Sequence, residues 1–299
     1  MASSVSLDQT ETDVRVMTGE QPSRRSFWRE LPWHLLLSAF GVLLLAPLAW
    51  LVSTSLKEPS AIFILPPQWI PNPIRWQNYP EALQAQPFLR FFLNTLTITV
   101  LATVGTVLTA SMAAFGFARL RFPLRAFWFG LVISTLMLPS IVTLIPTFIL
   151  FRSLGWINSF YPLIVPYWFG GGAFNIFLLR QFFMTIPLEL DEAARMDGAS
   201  NYRIYAQIIL PLAKPALATV AIFGIIAHWN EFVLPLIYLH DSKKWTMAIG
   251  LQGFRDLYAT QWHWLMAAST VMVLPLVLLF FSAQRYYLEG IQMSGIAGR

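Results

Sequence analysis

Six separate apolar runs leave this chain few ways to fold in water. They cover approximately residues 35–55, 91–118, 126–151, 160–179, 210–239 and 264–284. About 20 consecutive apolar residues cross a ~30 Å hydrocarbon core as a helix. Helices are required there because lipid offers no partner to a free N–H or C=O, and runs this continuous lack the alternation of barrel strands. The expected fold class is therefore an all-α integral membrane protein with six transmembrane helices. Composition agrees. Only 12% of residues are charged, against roughly 25% in soluble domains, too few to coat a water-facing surface. The absence of cysteine excludes disulfides, thiolate metal sites and iron–sulfur centres.

The net charge of +5 raises the question of nucleic acid, and the positions of the charges answer it. With the N-terminus inside, 13 of the 20 lysines and arginines fall on the inner side. Lys57, Arg75, Arg90, Arg152, Lys243, Lys244 and Arg255 fall outside. The short loop bearing Arg119, Arg121 and Arg125 is the most telling, because short loops obey the positive-inside rule best. Both termini are thus expected in the cytoplasm, and the basic balance reflects orientation in a bilayer, with no nucleic-acid partner. The chain divides into a cytoplasmic tail (1–34), a six-helix domain (35–287) and a second cytoplasmic tail (288–299). Residues 1–21 read as a mobile polar tail. Arg24, Arg25 and Arg29 then precede the first run, with Trp28 and Trp33 as interfacial anchors. That run does not read as a signal peptide, because no small-residue cleavage site follows Pro47 and Trp50.

Between the first two runs lie seven prolines (Pro59, Pro66, Pro67, Pro71, Pro73, Pro80 and Pro87), which predict an extended segment on the outer surface. The outer loop 240–263 is longer than joining two helices requires. Its aromatics Trp245, Phe254 and Tyr258 are expected to point outward, towards a partner.

About 30 residues separate the fourth and fifth runs on the inner side. Pro187 suits a first helical position, and Glu189, Asp191 and Glu192 complement a helix N-terminus. Gly198 predicts a left-handed stop, and Ser200 the cap of a second short helix. The resulting helix–Gly–helix elbow, 185–210, exposes small residues for close approach by another protein. A lipid-bound helix would be basic, whereas residues 187–198 carry four acids and one base.

Here a resemblance becomes specific. Glu192-Ala193-Ala194, three residues, Gly198, nine residues, Ile208, one residue and Leu210-Pro211 match the EAA-loop signature of ABC importer permeases. Trp76-Gln77-Asn78-Tyr79, Trp229-Asn230-Glu231-Phe232 and the closing run from Gln284 to Ile291 resemble the carbohydrate-uptake group, in particular the smaller permease of maltose-type transporters. The resemblance implies the ABC importer permease fold, in a bacterial or archaeal cell membrane. It implies a heterodimer with a second permease, two ATP-binding subunits that hold ATP and Mg, and an extracytoplasmic solute-binding protein. Glu192, Ala193, Ala194, Arg195, Asp197 and Gly198 would couple to the ATPase. Trp245, Gly250, Gly253 and Phe254 would meet the binding protein. The solute would be a sugar, with a polyol, glycerol phosphate or osmolyte as the alternative.

Family positions for sugar contact fall on Tyr167, Gly170, Gly171 and Phe174, and on Gly224, Ala227 and His228. The same residues also read as helix packing. Gly170-Gly171-Gly172 can break the fourth helix beside a solute path. Glu231, the one acid within a run, with Asn230 beside it, either lines that path or serves structure near the outer end. The Ala110, Ala114 and Ala118 stripe reads as a packing seam. No phosphate-binding Gly-x-x-x-x-Gly-Lys-Ser/Thr loop and no His-Glu-x-x-His occur. No catalytic residue, metal ligand or cofactor is therefore assigned to the chain itself. A stand-alone secondary transporter would show inverted repeats or intramembrane ion ligands, and the sequence displays neither.

Overall fold

The computed structural model describes the backbone of residues 24–255 and 260–296, and the side chains of residues 31–255 and 260–284. The polar tail 1–21, the side chains of Arg24, Arg25, Trp28 and Arg29, Tyr258, and the closing motif's side chains from Arg285 onward lie outside the described residues. Two units separate, Met1–Trp50 and Leu51–Arg299. Helix α1 (Arg24–Ser55) supplies the first unit and runs into the second. Leu35, Leu36 and Leu37 are all exposed, as are Leu43, Leu44 and Leu45. Consecutive positions face different directions on a helix, so α1 is apolar all round, as a membrane helix is.

In the second unit, α2 (Asn78–Ala85) leads into α3 (Phe88–Arg119). The proline-rich segment is thus not extended throughout. Pro80 sits in the first turn of α2, where its missing N–H has no intrahelical acceptor to disappoint. The Asn78 amide Nδ2 donates to the Ser55 and Lys57 carbonyls at 2.9 and 2.8 Å, fixing where α2 starts.

Helix α3 is the axis of this unit. Ala102, Ala110 and Ala114 are completely buried along it, and Ala118 packs against the same cluster. The small-residue seam expected there is real. At Gly105 an added Cβ would stand within 2.5 Å of the Trp168 ring, so an indole lies directly on the bare backbone.

The third apolar run is not one straight helix. Helices α4 (Arg125–Ser134) and α5 (Ser140–Ser153) meet at 100°. Pro139 is the physical reason. It has no N–H to continue the ladder, and it drives the preceding Leu138 to an extended φ −82°, ψ 115°.

The fourth run comprises α6 (Tyr161–Ile164), α7 (Tyr167–Gly170) and α8 (Ala173–Thr185). The elbow follows as α9 (Glu189–Met196), α10 (Asn201–Ile204), a π-helical turn Tyr205–Ile209 and α11 (Leu210–Leu212). The fifth run is also shorter and more broken than its hydropathy predicts. Helix α12 (Lys214–Asn230) turns by 78° from the segment before it, and Glu231 and Phe232 separate it from α13 (Val233–Tyr238). Helices α14 (Met247–Gln252) and α15 (Trp262–Ile296) complete the chain. Among the described residues four segments are long and apolar enough to cross a membrane, and two bent pairs can each serve as one more.

Helices α7, α8 and α12 all pack along α3. The buried cluster around Phe115, Leu179, Phe183, Ile204, Ile209 and Val220 binds the elbow to α3 and α8. A second, around Phe88, Phe91, Trp229, Met247 and Phe254, lies at the opposite end of α3.

Candidate functional site

The elbow is built from local rules. Helix α9 stops because Gly198 takes φ +78°. Its N–H donates to the Arg195 carbonyl at 3.0 Å, and the Ala199 N–H donates to the Ala194 carbonyl at 2.9 Å. These two bonds make a Schellman stop, which satisfies carbonyls that the helix end leaves free. Helix α10 starts at Ser200, whose Oγ accepts from the Arg203 N–H at 3.3 Å. Both features match the spacing in the sequence. Pro187 differs, because it stands ahead of the capping residue Leu188 instead of at the first helical position.

Glu192, Ala193, Arg195, Asp197 and Gly198 are exposed on the elbow, and Ala194 is half-buried against the core. Met196 and Tyr202 beside them are 87% and 77% exposed. The elbow thus presents a mixed acidic and apolar face that nothing among the described residues covers.

Asp191 does not belong to that face. It is buried, with its Oδ2 3.7 Å from the Arg119 Nε, and both side chains are 1% exposed. Arg119, counted from sequence as a loop cation, is the last residue of α3. Its Nη2 donates to the Phe183 and Ile186 carbonyls, each at 2.7 Å. Sequence reasoning missed this residue. Its only signal was an arginine ending a long apolar helix, the place where free carbonyls attract a cation.

The fourth run breaks at the glycines, with φ +60° at Gly171 and +80° at Gly172. Thr109 Oγ1 on α3 stands 2.8 Å from the Gly105 carbonyl and 3.1 Å from the Tyr167 carbonyl, and its one hydroxyl hydrogen is shared between them. Trp168 Nε1 donates to the Leu101 carbonyl at 3.0 Å, and Asn175 Nδ2 to the Gly171 carbonyl at 2.8 Å. The bonds to Tyr167 and Gly171 serve carbonyls that a broken helix would strand in lipid, and the Trp168 bond ties α7 to the unbroken helix α3. The Tyr167 and His228 rings meet edge to face at 4.4 Å, so two of the path candidates come together. Phe174 is 51% exposed, Gly171 is buried against Ala110, and Gly170 is exposed with open space around it. Gly224 lies against Thr103 of α3, and Ala227 is exposed.

Asn230 and Glu231 spend their hydrogen bonds locally. Asn230 Nδ2 donates to the Ile226 carbonyl at 2.8 Å. Glu231 is extended, outside both helices, and its Oε1 accepts from the Val233 and Leu234 N–H groups at 2.9 and 3.1 Å. A carboxylate there caps α13, which is the structural one of its two sequence readings.

The described part of the loop 240–263 folds onto α3. Phe254 is 3% exposed and stacks on Phe88 at 5.5 Å, and Trp245 is half-buried beside Phe91. An added Cβ at Gly250 would come within 2.4 Å of the Phe91 ring. Asn94 Nδ2 donates to the Lys243 and Trp245 carbonyls at 3.0 and 2.9 Å, and Asn158 Oδ1 accepts from the His240 and Asp241 N–H groups. Trp245 and Phe254, expected to face outward, are anchors, because α3 offers phenylalanines for them to cover. Among the described residues of the loop, the exposed ones include Lys243, Gln252, Gly253 and Arg255 instead.

Known proteins resemble the chain over nearly its whole length. A family profile described as "Binding-protein-dependent transport system inner membrane component" matches residues 105–292. The probable ABC transporter permease protein YurM of Bacillus subtilis is 32% identical, over 96% of this chain and 95% of the relative. The diacetylchitobiose uptake system permease protein NgcG of Streptomyces coelicolor is 31% identical, over 84% of each. A crystal structure of a bacterial ABC transporter involved in import of the acidic polysaccharide alginate shares the fold. Its TM-score is 0.77 at 24% identity, covering 89% of this chain and 98% of that one.

Proposed function

The chain belongs to the family of inner-membrane components of binding-protein-dependent transport systems, and from that premise we propose that it forms one half of an importer's path for a sugar. Each bent pair serves as one span, which makes six, with both termini in the cytoplasm and the elbow facing inward. The permease pairs with a second permease and two ATPase subunits, which bind ATP and Mg, in a bacterial or archaeal cell membrane. A solute-binding protein delivers the sugar from outside.

The observation that carries the coupling role is the elbow. A Schellman stop at Gly198 and a capped turn at Ser200 hold Glu192, Arg195 and Asp197 on an uncovered face. A cytoplasmic ATPase can grip that rigid knob. The Tyr167–His228 pair beside the helix break is where a pyranose can stack and hydrogen-bond. The sugar class draws support from the relative named for diacetylchitobiose uptake. The polar ridge of Lys243, Gln252, Gly253 and Arg255 is the surface offered to the binding protein.

Glu192→Lys opposes both the helix dipole and the grip of the ATPase, and Gly198→Pro cannot adopt φ +78°. Both variants are expected to insert normally, yet lose binding-protein-stimulated ATP hydrolysis in proteoliposomes. Native stimulation in both would end the coupling assignment.

A further inference from the structure

We propose that Arg119 is a positioning residue that makes α3 move with the elbow, so that closure of the ATPase reaches the broken fourth helix. The proposal rests on the coupling role given to the elbow above.

One guanidinium joins three elements. It ends α3, donates twice to carbonyls at the end of α8, and stands 3.7 Å from Asp191 of α9. Nη2 makes both carbonyl bonds while Nε of the same planar group faces Asp191, a division of labour between two nitrogens that the single ammonium of lysine lacks. The ion pair is shut away from water, and neither Asp191 oxygen has a hydrogen-bond partner among the described residues. In such surroundings each charge depends on the other, because removing one strands its partner. The rest of the elbow reaches α3 by softer contacts. The Tyr205 hydroxyl, on the π-helical turn, meets Ser111 Oγ at 2.7 Å, and its ring tilts against Phe115. Helix α9, which carries the exposed coupling face, has the Arg119–Asp191 pair as its charged tie.

The other end of the linkage is on the same helix. Thr109 and Ala110 of α3 hold Tyr167 and Gly171 at the break. Nine residues of helix separate Arg119 from Ala110, or about 14 Å along the axis. A displacement of α9 is therefore delivered to the base of α3 and carried by a stiff rod to the Tyr167–His228 pair. That is a contiguous physical link between two sites. Packing alone would let α9 slide over α3, since apolar contacts are not directional. A bifurcated cation opposite a buried carboxylate does not slide.

The test uses the complete importer, with both permeases, the ATPase subunits and the binding protein, in proteoliposomes. Asp191→Asn removes the charge at constant shape, Arg119→Lys keeps the charge but loses the second nitrogen, and Asp191→Glu keeps the carboxylate. Solute moved per ATP hydrolysed is read for each, together with co-purification of the ATPase. The expected result is at least a tenfold fall in that ratio for Asp191→Asn and Arg119→Lys, with the ATPase still bound, and a ratio within about threefold of native for Asp191→Glu. A native ratio in Arg119→Lys overturns the proposal, whether or not Asp191→Asn assembles, because the pair then serves folding alone. An equal fall in all three variants overturns it too, since the carboxylate should rescue. Failure of the coupling reading itself shows separately, as native importer whose ATP hydrolysis ignores the loaded binding protein.

Discussion

Replacing Gly171 with alanine tests the break in the fourth run at its tightest point. Two costs are set by the structure. The residue sits at φ +60°, where a Cβ meets its own carbonyl and costs roughly 1–2 kcal/mol. The added Cβ would also stand 2.4 Å from the Ala110 N and 2.7 Å from its Cα and Cβ. Those are α3 atoms in the middle of a packed seam, so they cannot swing aside as a side chain would. Separating the two elements by about an ångström is an overpacking of the kind that costs typically 1–3 kcal/mol. The smaller entropy of the unfolded chain returns about 0.4–1 kcal/mol. The net expectation is a loss of about 1–5 kcal/mol. Gly170→Ala is the matched control, because nothing lies within 4 Å of its Cβ and its φ is not positive. Thermal unfolding of the detergent-purified importer should show Gly171→Ala melting several degrees below native and Gly170→Ala close to it. Equal midpoints for the two alanine variants would refute the reasoning, and the glycine pair would then be only a hydropathy gap.

Two further expectations concern the outer side. Phe254→Ala removes a ring that is 3% exposed and stacked on Phe88, and should destabilise by about 3–5 kcal/mol. A partner-facing Phe254 would instead leave the melting temperature unchanged and weaken only the response to the binding protein. Orientation is checked with cysteines in a chain that has none. A cysteine at Ser242 should react with an impermeant thiol reagent from outside and one at Ser3 should not, and the reverse pattern would invert the topology and remove the elbow from the cytoplasm.

The parts of the elbow that were legible in the sequence are those that depend on neighbours in the chain. Gly198 at a left-handed stop and Ser200 at a helix start each act on backbone groups within five residues. The spacing of residue types therefore carries the whole instruction. The glycine break in the fourth run was legible for the same reason. Elsewhere a local signal was present but ambiguous. Pro139 and Glu231 both sit within apolar runs, and a hydropathy window averages them away. The structure shows one ending α4's path and the other capping α13.

Sequence alone determined that the chain must live in a membrane as helices, because free backbone groups in lipid leave no other choice. It also determined where the elbow turns, since capping is a matter of nearest neighbours. Only the tertiary structure decided which charged and aromatic residues face outward. Asp191 and Glu192 are adjacent and both acidic, yet one is buried against Arg119 and the other exposed. Phe254 looks like a partner-seeking aromatic until Phe88 is found beneath it. Whether a side chain is covered depends on what surface a distant segment brings to it, and no window along the chain contains that segment.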